Sequence, residues 1–450
     1  MPEVLVVGAG VSGLAAARSL ARAGLEVAVI EAAAAPGGAF ASVERDGFLA
    51  ELGPNTVQES PELAALAADA GATDDLVPAA DVAGRRYVVH CGRAVPLPDS
   101  PPALLATPLL SPAAKLRLAT EPFRRARPDA DESLASFLRR RLGRGVLPLG
   151  DAMALGIYAG DPGELSVGYA FPSLHALERD HGGLLGGMRR SRATPRHLVA
   201  FRHGAAAFAG RLAAGLDLAT GCRAESVTRE GDRFRVAVVA GEEQREIVAR
   251  RLIVALPAGA AATLLANLSS GVPAGAPASV PITALAGLPH APVAVVALGF
   301  ARDEVAHPLD GFGLLAPHGE GRQVLGVLFP SSLFPGRAPA GAVLLTAMVG
   351  GRRRPELVDL PDGELLARVR RELADLLGAR GEPRFQAIQR WRPGIPQPTA
   401  AMPAARAAAD ALERAHPGLT ILGAWRHGVA VPDCVRAGWA LGQGQGEAPR

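Results

Sequence analysis

The sequence predicts an α/β chain, α+β over its whole length, from three observations. Residues 4–31 read as strand, glycine turn, helix and strand, residues 94–200 carry helical periodicity, and residues 280–400 hold short apolar runs bounded by turns. In the first, the apolar run Val4–Val7 meets Gly8-Ala9-Gly10-Val11-Ser12-Gly13, an Ala/Leu/Arg helix follows, and a second run, Val27–Ile30, ends on Glu31. This is the order of a Rossmann-type dinucleotide site. Gly8 permits the tight turn, Gly10 lets backbone approach a pyrophosphate, and Gly13 lets the helix lie close on the sheet with its free N–H groups toward the phosphates. Glu31 lies 18 residues after Gly13, close to the roughly 20 expected of a carboxylate that accepts ribose hydroxyls. With 53 glycines in the chain, a bare GxGxxG would carry little weight; the surrounding strand and helix pattern carries it here.

Beyond Glu31 comes a glycine pair, Gly37-Gly38, and then a turn at Gly53-Pro54-Asn55. A nicotinamide dehydrogenase needs no second glycine pair there. An extended FAD does, because further backbone must approach its diphosphate and ring; an ordinary loop is the alternative. No second GxGxxG in a strand–helix context suggests a separate NAD(P)H domain.

Farther along, the pattern predicts a helix at Ala205–Ala214, a strand around Arg223–Val227, a hairpin of Phe234–Val239 and Glu246–Val248, and a strand at Leu252–Leu256. Leu419–Gly423 reads as a short buried strand leading to a glycine loop and a helix at Val435–Leu441. Helices are expected over Ala113–Phe123, Glu132–Leu142, 362–377 and 400–415, and strands at Val293–Leu298, Val324–Phe329 and Val343–Val349. Pro/Gly clusters near 98–102, 271–281 and 335–341 are candidate crossovers.

At 450 residues, 49% hydrophobic and 20% charged, the chain is long enough for two or three globular domains. A net charge of +3 and the absence of a basic, aromatic-interleaved stripe argue against nucleic acid as a partner. Arg139-Arg140-Arg141 and Arg352-Arg353-Arg354 read as solvated faces. Three scattered cysteines, Cys91, Cys222 and Cys434, and ten histidines form no metal or disulfide pattern, so no metal is expected and a cytoplasmic location is. The N-terminus reads as a first strand, not a signal peptide, and no apolar stretch is long enough to span a bilayer. Peripheral attachment through an apolar helical surface, on the inner face of the cell membrane, is compatible with this composition.

Blocks outside the nucleotide unit resemble the protoporphyrinogen oxidases, within the flavoproteins that include amine oxidases and carotene desaturases. They are Arg85–Val89 with Gly92-Arg93 and Pro96-Leu97-Pro98, Ser111-Pro112 with Lys115–Arg117, Gly156–Asp161, Phe171–Leu174, Gly311–Leu315, Met348–Gly351 and Gly428–Cys434, in family order over nearly the full length. The resemblance implies FAD-binding parts at 1–80, 205–270 and 401–450, a mixed-sheet substrate domain at 81–93 and 271–400, and a helical membrane-associated domain at 94–204. It implies six-electron oxidation of protoporphyrinogen IX to protoporphyrin IX by hydride loss to flavin N5, with oxygen as acceptor and a homodimer as the common assembly. No residue is assigned as catalytic, since the cofactor carries the hard step.

By matched position, Arg86 would pair with a substrate propionate, Gly156 would bring backbone to the macrocycle, and Leu315 and Met348 would sandwich its rings. For FAD the resemblance points to Gly8, Ala9, Gly10, Val11, Ser12 and Gly13, to Glu31 and Gly38, to Gly53, Pro54, Asn55 and Thr56, to Ala224, and to Val429, Ala430 and Val431. The chain departs from the family pattern at Ala39, Ala424 and His427. Two alternatives stay open: oxidation of coproporphyrinogen III, with four carboxylates in place of two, and a non-catalytic FAD- and tetrapyrrole-binding protein.

Overall fold

The computed structural model describes residues 1–190, 197–269 and 282–443. Its nucleotide-binding half is a five-stranded parallel sheet in the order Asp217–Ala219, Val27–Ile30, Val4–Val7, Arg251–Ala255, Leu419–Leu422. Val4–Val7 is buried throughout because both sheet faces are covered, which is why it reads as an unbroken apolar run rather than an alternating one. Helices Val11–Arg22, Ala205–Ala213 and Val431–Gln443 cover one face. The antiparallel meander Cys222–Glu230, Arg233–Ala240, Glu243–Ala249 and helix Met402–Ala415 cover the other.

The second sheet has seven strands, ordered Phe385–Pro396, His290–Ala301, Ala342–Gly350, Val324–Leu328, Gly313–Leu315, Tyr87–His90, Arg93–Pro96. It is mixed, since Gly313–Leu315 runs parallel to Tyr87–His90 while the other pairs are antiparallel. Along Ala342–Gly350 the side chains alternate: Val343, Leu345, Ala347 and Val349 join the core against helix Asp362–Leu377, whereas Leu344 and Met348 face the nucleotide-binding half. The helix repeats the logic, burying Leu365, Val369, Leu373 and Leu376 on one stripe. With one sheet face sealed by this helix, the other packs in part on Phe48, Ala50 and Leu52 and stays half-buried at Leu315, Leu328 and Met348.

The third part, residues 101–190, is a helical cluster whose helix Leu147–Tyr158 lies against the second sheet. Several expectations need correction. Leu198–Phe201, placed in the helical part, is a strand between Val57–Gln58 and Leu76–Pro78. The helix expected over Ala113–Phe123 stops at Ala119 and resumes as a 3-10 turn at Glu121–Phe123. Residues near 335–341 join two antiparallel strands and are no crossover; those at 271–281 lie outside the described residues.

The arginine triplets are solvated faces only in part. Arg141 is fully buried in an ion pair with Glu121, and Arg140 pairs with Glu132 (2.6 Å) and Glu178 (2.7 Å). Arg353 pairs with Asp161 (2.7 Å) and Asp151 (2.9 Å), pinning the helical cluster to the second sheet. A run of like charges in sequence becomes a set of cross-links where Arg140, Arg141 and Arg353 find carboxylates on other segments, while Arg139 stays exposed and Arg354 donates to Arg322 O (3.2 Å).

Candidate active site

The glycine turn is built on contacts that exclude side chains. A Cβ on Gly13 would lie 1.9 Å from the Gly8 carbonyl oxygen, so the helix rests directly on the turn. Gly8 has φ +101°, and a Cβ there would meet the Ala255 oxygen at 2.6 Å. Gly10 is different: a Cβ on it would meet no protein atom within 4 Å, leaving open space over the helix start. No side chain caps that helix, so the N–H groups of its first turn remain available to an anion. Gly37 N donates to Ala9 O (2.8 Å), and Gly38, φ +59°, faces the Gly10 Cα. The second glycine pair therefore lies against the first.

Glu31 ends its strand beside this turn, and its carboxylate accepts from Ala9 N and Ala33 N, each at 2.8 Å. Cys222 N donates to Glu31 O (2.8 Å), which brings the strand bearing Ala224 alongside. Ala224 sits at a bulge in that strand. At the other end, Gly53 presses on the loop after Gly38, where a Cβ would lie 1.9 Å from Ala39 O. Asn55 Nδ2 donates to Gly53 O (3.2 Å), while its Oδ1 is buried with no partner among the described residues. Gly428 turns at φ +128° against the Asp433 carboxylate, and Val429 packs on the helical cluster beside Ile395. Burial, with Asp433 nearby, pushes Tyr158 up to about 12, so it stays a neutral donor to Ala170 O (2.8 Å). Burial likewise pushes Cys434 up to about 11, which keeps it a thiol.

These residues fit an extended FAD: an acidic residue and Ala224 at one end, an uncapped helix start under open glycine backbone in the middle, and an orphaned amide oxygen at Asn55 beyond it. Asp433 and Cys434 hold the C-terminal turn, Cys434 Sγ lying 3.4 Å from Gly428 O.

The residues expected to meet substrate share one sheet face. Leu315 pairs with Val88 and Gly326, Gly326 with Met348, and Met348 with Val295, which forms one row across five strands. The neighbouring row runs Gly313, Leu328, Thr346, Ala297, and strand alternation puts Arg86 beside Gly313 on the Val88 face. Gly156, on helix Leu147–Tyr158, faces Leu315: a Cβ there would lie 3.1 Å from Leu315 Cδ1. Arg86 is exposed, makes no ion pair among the described residues, and its guanidinium lies 5.3 Å from the Phe312 ring centre. Along the two rows it is the only charged side chain. Leu315 and Met348 flank Gly326 on the same face, about two strand spacings or roughly 10 Å apart, and do not oppose each other across a gap.

Two ties bring this face to the cofactor loops. Trp391 Nε1, from the edge strand, donates to Leu52 O (2.7 Å), immediately before Gly53. Glu51 pairs with Arg337, in the loop that leads into strand Ala342–Gly350 (3.0 Å), while accepting from Ala205 N, with both side chains nearly fully buried. Burial raises the Glu51 carboxyl above the ordinary value, against the opposing pull of Arg337. Neither tie was anticipated.

The flavin containing amine oxidoreductase profile matches residues 11–440. The chain belongs to that family. The family's members bind FAD, which accords with the cradle above. A mitochondrial protoporphyrinogen oxidase of Nicotiana tabacum is 31% identical over 97% of this chain and 93% of its own length. A coproporphyrinogen III oxidase of Propionibacterium freudenreichii subsp. freudenreichii is also 31% identical, over 96% of this chain and 88% of its own. A solved structure from Exiguobacterium sp. 255-15, assigned provisionally to the protoporphyrinogen oxidases, superposes with a TM-score of 0.82 at 24% identity, covering 98% of both chains. Equal identity to the two kinds of oxidase leaves the choice of substrate to the site.

Sequence reasoning missed Gly326, Trp391 and Phe312. Gly326 carried a signal, a lone glycine inside the apolar run Val324–Phe329, which marks a close approach on a strand. Glu31→Ala is expected to weaken FAD binding by about 1.5–3 kcal/mol, on the order of tenfold to a hundredfold in Kd, as a charged hydrogen-bond acceptor is lost. Flavin release on dilution measures this, and unchanged occupancy would remove Glu31 from the ribose site.

Proposed function

We propose that this member of the family is an FAD-dependent oxidase of protoporphyrinogen IX, yielding protoporphyrin IX in six electrons with oxygen as acceptor. The observation that carries the reading is the single charged side chain, Arg86, on an apolar sheet face smoothed by Gly313 and Gly326 and walled by Gly156. Such a face suits a broad, flat macrocycle, and one free guanidinium suits one propionate, held bidentately. Four carboxylates, as in coproporphyrinogen, would want more cations than these two rows supply. Bound FAD supplies a two-electron hydride acceptor. The chain's own contribution is to orient: Arg86 fixes one edge of the substrate, Leu315 and Met348 set its height above Gly326, and Trp391 couples the sheet to the flavin loop.

The location proposed is cytoplasmic and peripheral to a membrane. No helix among the described residues is long and apolar enough to cross one. Leu105, Leu116, Phe123 and Met188, between 62% and 90% exposed, are all on the helical cluster. Lys115 Nζ, donating to Leu105 O, ties two of their segments together, and Glu121, accepting from Leu184 N and Leu185 N, ties two more. An exposed apolar patch of this kind marks a contact surface.

The test is anaerobic mixing of the flavoprotein with each porphyrinogen, followed by air. Protoporphyrinogen should bleach the flavin, and porphyrin fluorescence and peroxide should follow re-aeration. Faster bleaching with coproporphyrinogen would favour the other substrate, and tight porphyrin binding with no bleaching by either would make the chain a carrier. Arg86→Ala should raise KM with flavin content intact, by the equivalent of about 2 kcal/mol, the low end for a charge pair because the site is exposed.

A further inference from the structure

Resting on the reading of Arg86 as the carboxylate-binding cation, we propose that Phe312 and Asp310 are positioning residues that decide which of two consecutive arginines serves the substrate. Arg85 and Arg86 adjoin the strand Tyr87–His90, and strand alternation sends their side chains to opposite faces. Asp310 engages both groups on the far face: one carboxylate oxygen pairs with the Arg85 guanidinium and the other accepts from Tyr87 Oη (2.7 Å). Arg85 is thereby neutralised. Arg86 has no such partner and lies over the Phe312 ring, an arrangement in which the ring face attracts the cation without consuming its donors. Among the described residues nothing takes its five guanidinium N–H groups, which remain for a carboxylate.

The turn that delivers Asp310 and Phe312 is moulded onto the arginine pair. Phe312 N donates to Arg85 O (2.7 Å). A Cβ on Gly311 would lie 2.8 Å from Arg85 O and 2.9 Å from Tyr87 Cε2, so only glycine lets the turn come this close. Leu309 takes the left-handed region at φ +57°, its N–H held by His307 Nδ1 (2.9 Å), and the His307 ring stands edge-on to Tyr87 at 5.2 Å. Left-handed backbone at a leucine is strained and persists where its surroundings over-determine it. The segment 307–312 thus works as a jig for Arg85 and Arg86.

The experiment compares initial rates with protoporphyrinogen for the holoenzyme and for Arg86→Ala, Phe312→Leu, Phe312→Trp and Asp310→Asn, alone and combined with Arg86→Ala. Phe312→Leu is expected to raise KM about two- to fivefold, the worth of an exposed cation–π contact, with kcat and flavin content unchanged. Phe312→Trp, which keeps an aromatic face, should retain the parental KM, and Asp310→Asn should raise it in the same range as Phe312→Leu. In the Arg86→Ala background neither Phe312→Leu nor Asp310→Asn should add anything, because Phe312 acts on that guanidinium and Asp310 acts on it only through the turn that carries Phe312. A parental KM in Phe312→Leu, or an equal rise in KM with Arg86 already removed, overturns this inference alone. An unchanged KM in Arg86→Ala overturns the reading of Arg86 and this inference with it.

Discussion

Gly13→Ala is expected to yield protein that purifies nearly colourless and melts earlier than the parent. The added methyl would sit 1.9 Å from the Gly8 carbonyl oxygen and 3.2 Å from the Ala255 Cβ. Overpacking ordinarily costs about 1–3 kcal/mol because neighbouring side chains give way. Here the obstacle is backbone, and Gly8 has little room to retreat, since a Cβ on it would already lie 2.6 Å from the Ala255 oxygen. The helix must therefore lift off the turn, carrying the uncapped N–H groups of its first turn away from the phosphates they would bind. Gly10→Ala provides the contrast. Its methyl would enter open space, so the melting temperature should hold while FAD occupancy falls. Thermal melts and flavin absorbance together separate the two, and a Gly13→Ala protein with full flavin would refute the argument.

The nucleotide unit was legible because its information is local. Two strands, Val4–Val7 and Val27–Ile30, occur at their expected boundaries, as does helix 362–377, since an apolar run or a 3.6-residue stripe lies within one stretch of chain. The edge strand Phe385–Pro396 was not read, because Arg390, Arg392, Pro393 and Pro396 break its pattern. Proline and charge are tolerated there because one side of an edge strand has no partner to satisfy. Trp391, which joins this strand to the Leu52-Gly53 turn, was hidden with it.

The substrate face was legible only through family resemblance. Arg86, just before strand Tyr87–His90, lies more than two hundred residues ahead of Leu315 and Met348 on their two strands, and the three share a face only through the register of Gly313–Leu315 and Val324–Leu328. Register follows from long-range pairing, which no window of sequence contains. The same holds for charge: a triplet of arginines looks solvated until the positions of its carboxylates are known.

Arg141→Met is expected to be the most destabilising single change in the helical cluster. The Arg141 guanidinium, fully buried, pairs with Glu121 and also donates to Arg124 O and Gly182 O, each at 3.1 Å, while Glu121 accepts from Leu184 N (2.9 Å). Three segments meet at this knot. Removing the cation strands a buried carboxylate, a change that costs about 3–5 kcal/mol, whereas removing both charges with Arg141→Met/Glu121→Leu should recover most of it. Phe123 is mounted next to Glu121, so the single variant should also lose vesicle binding while keeping FAD, whose cradle lies in another part of the chain. The neighbouring Glu178 adds a pH signature. Burial opposes its charge, but hydrogen bonds from Arg140 prevail and hold its carboxyl below the ordinary value. A depressed carboxylate favours the folded state above the ordinary range, near pH 4.3, and that contribution is lost as pH falls through the depressed value. Acid should therefore loosen the parental helical cluster, with Glu178→Gln showing a flatter profile. Equal melting of Arg141→Met and the parent would show that packing alone, without the ion pair, holds the cluster.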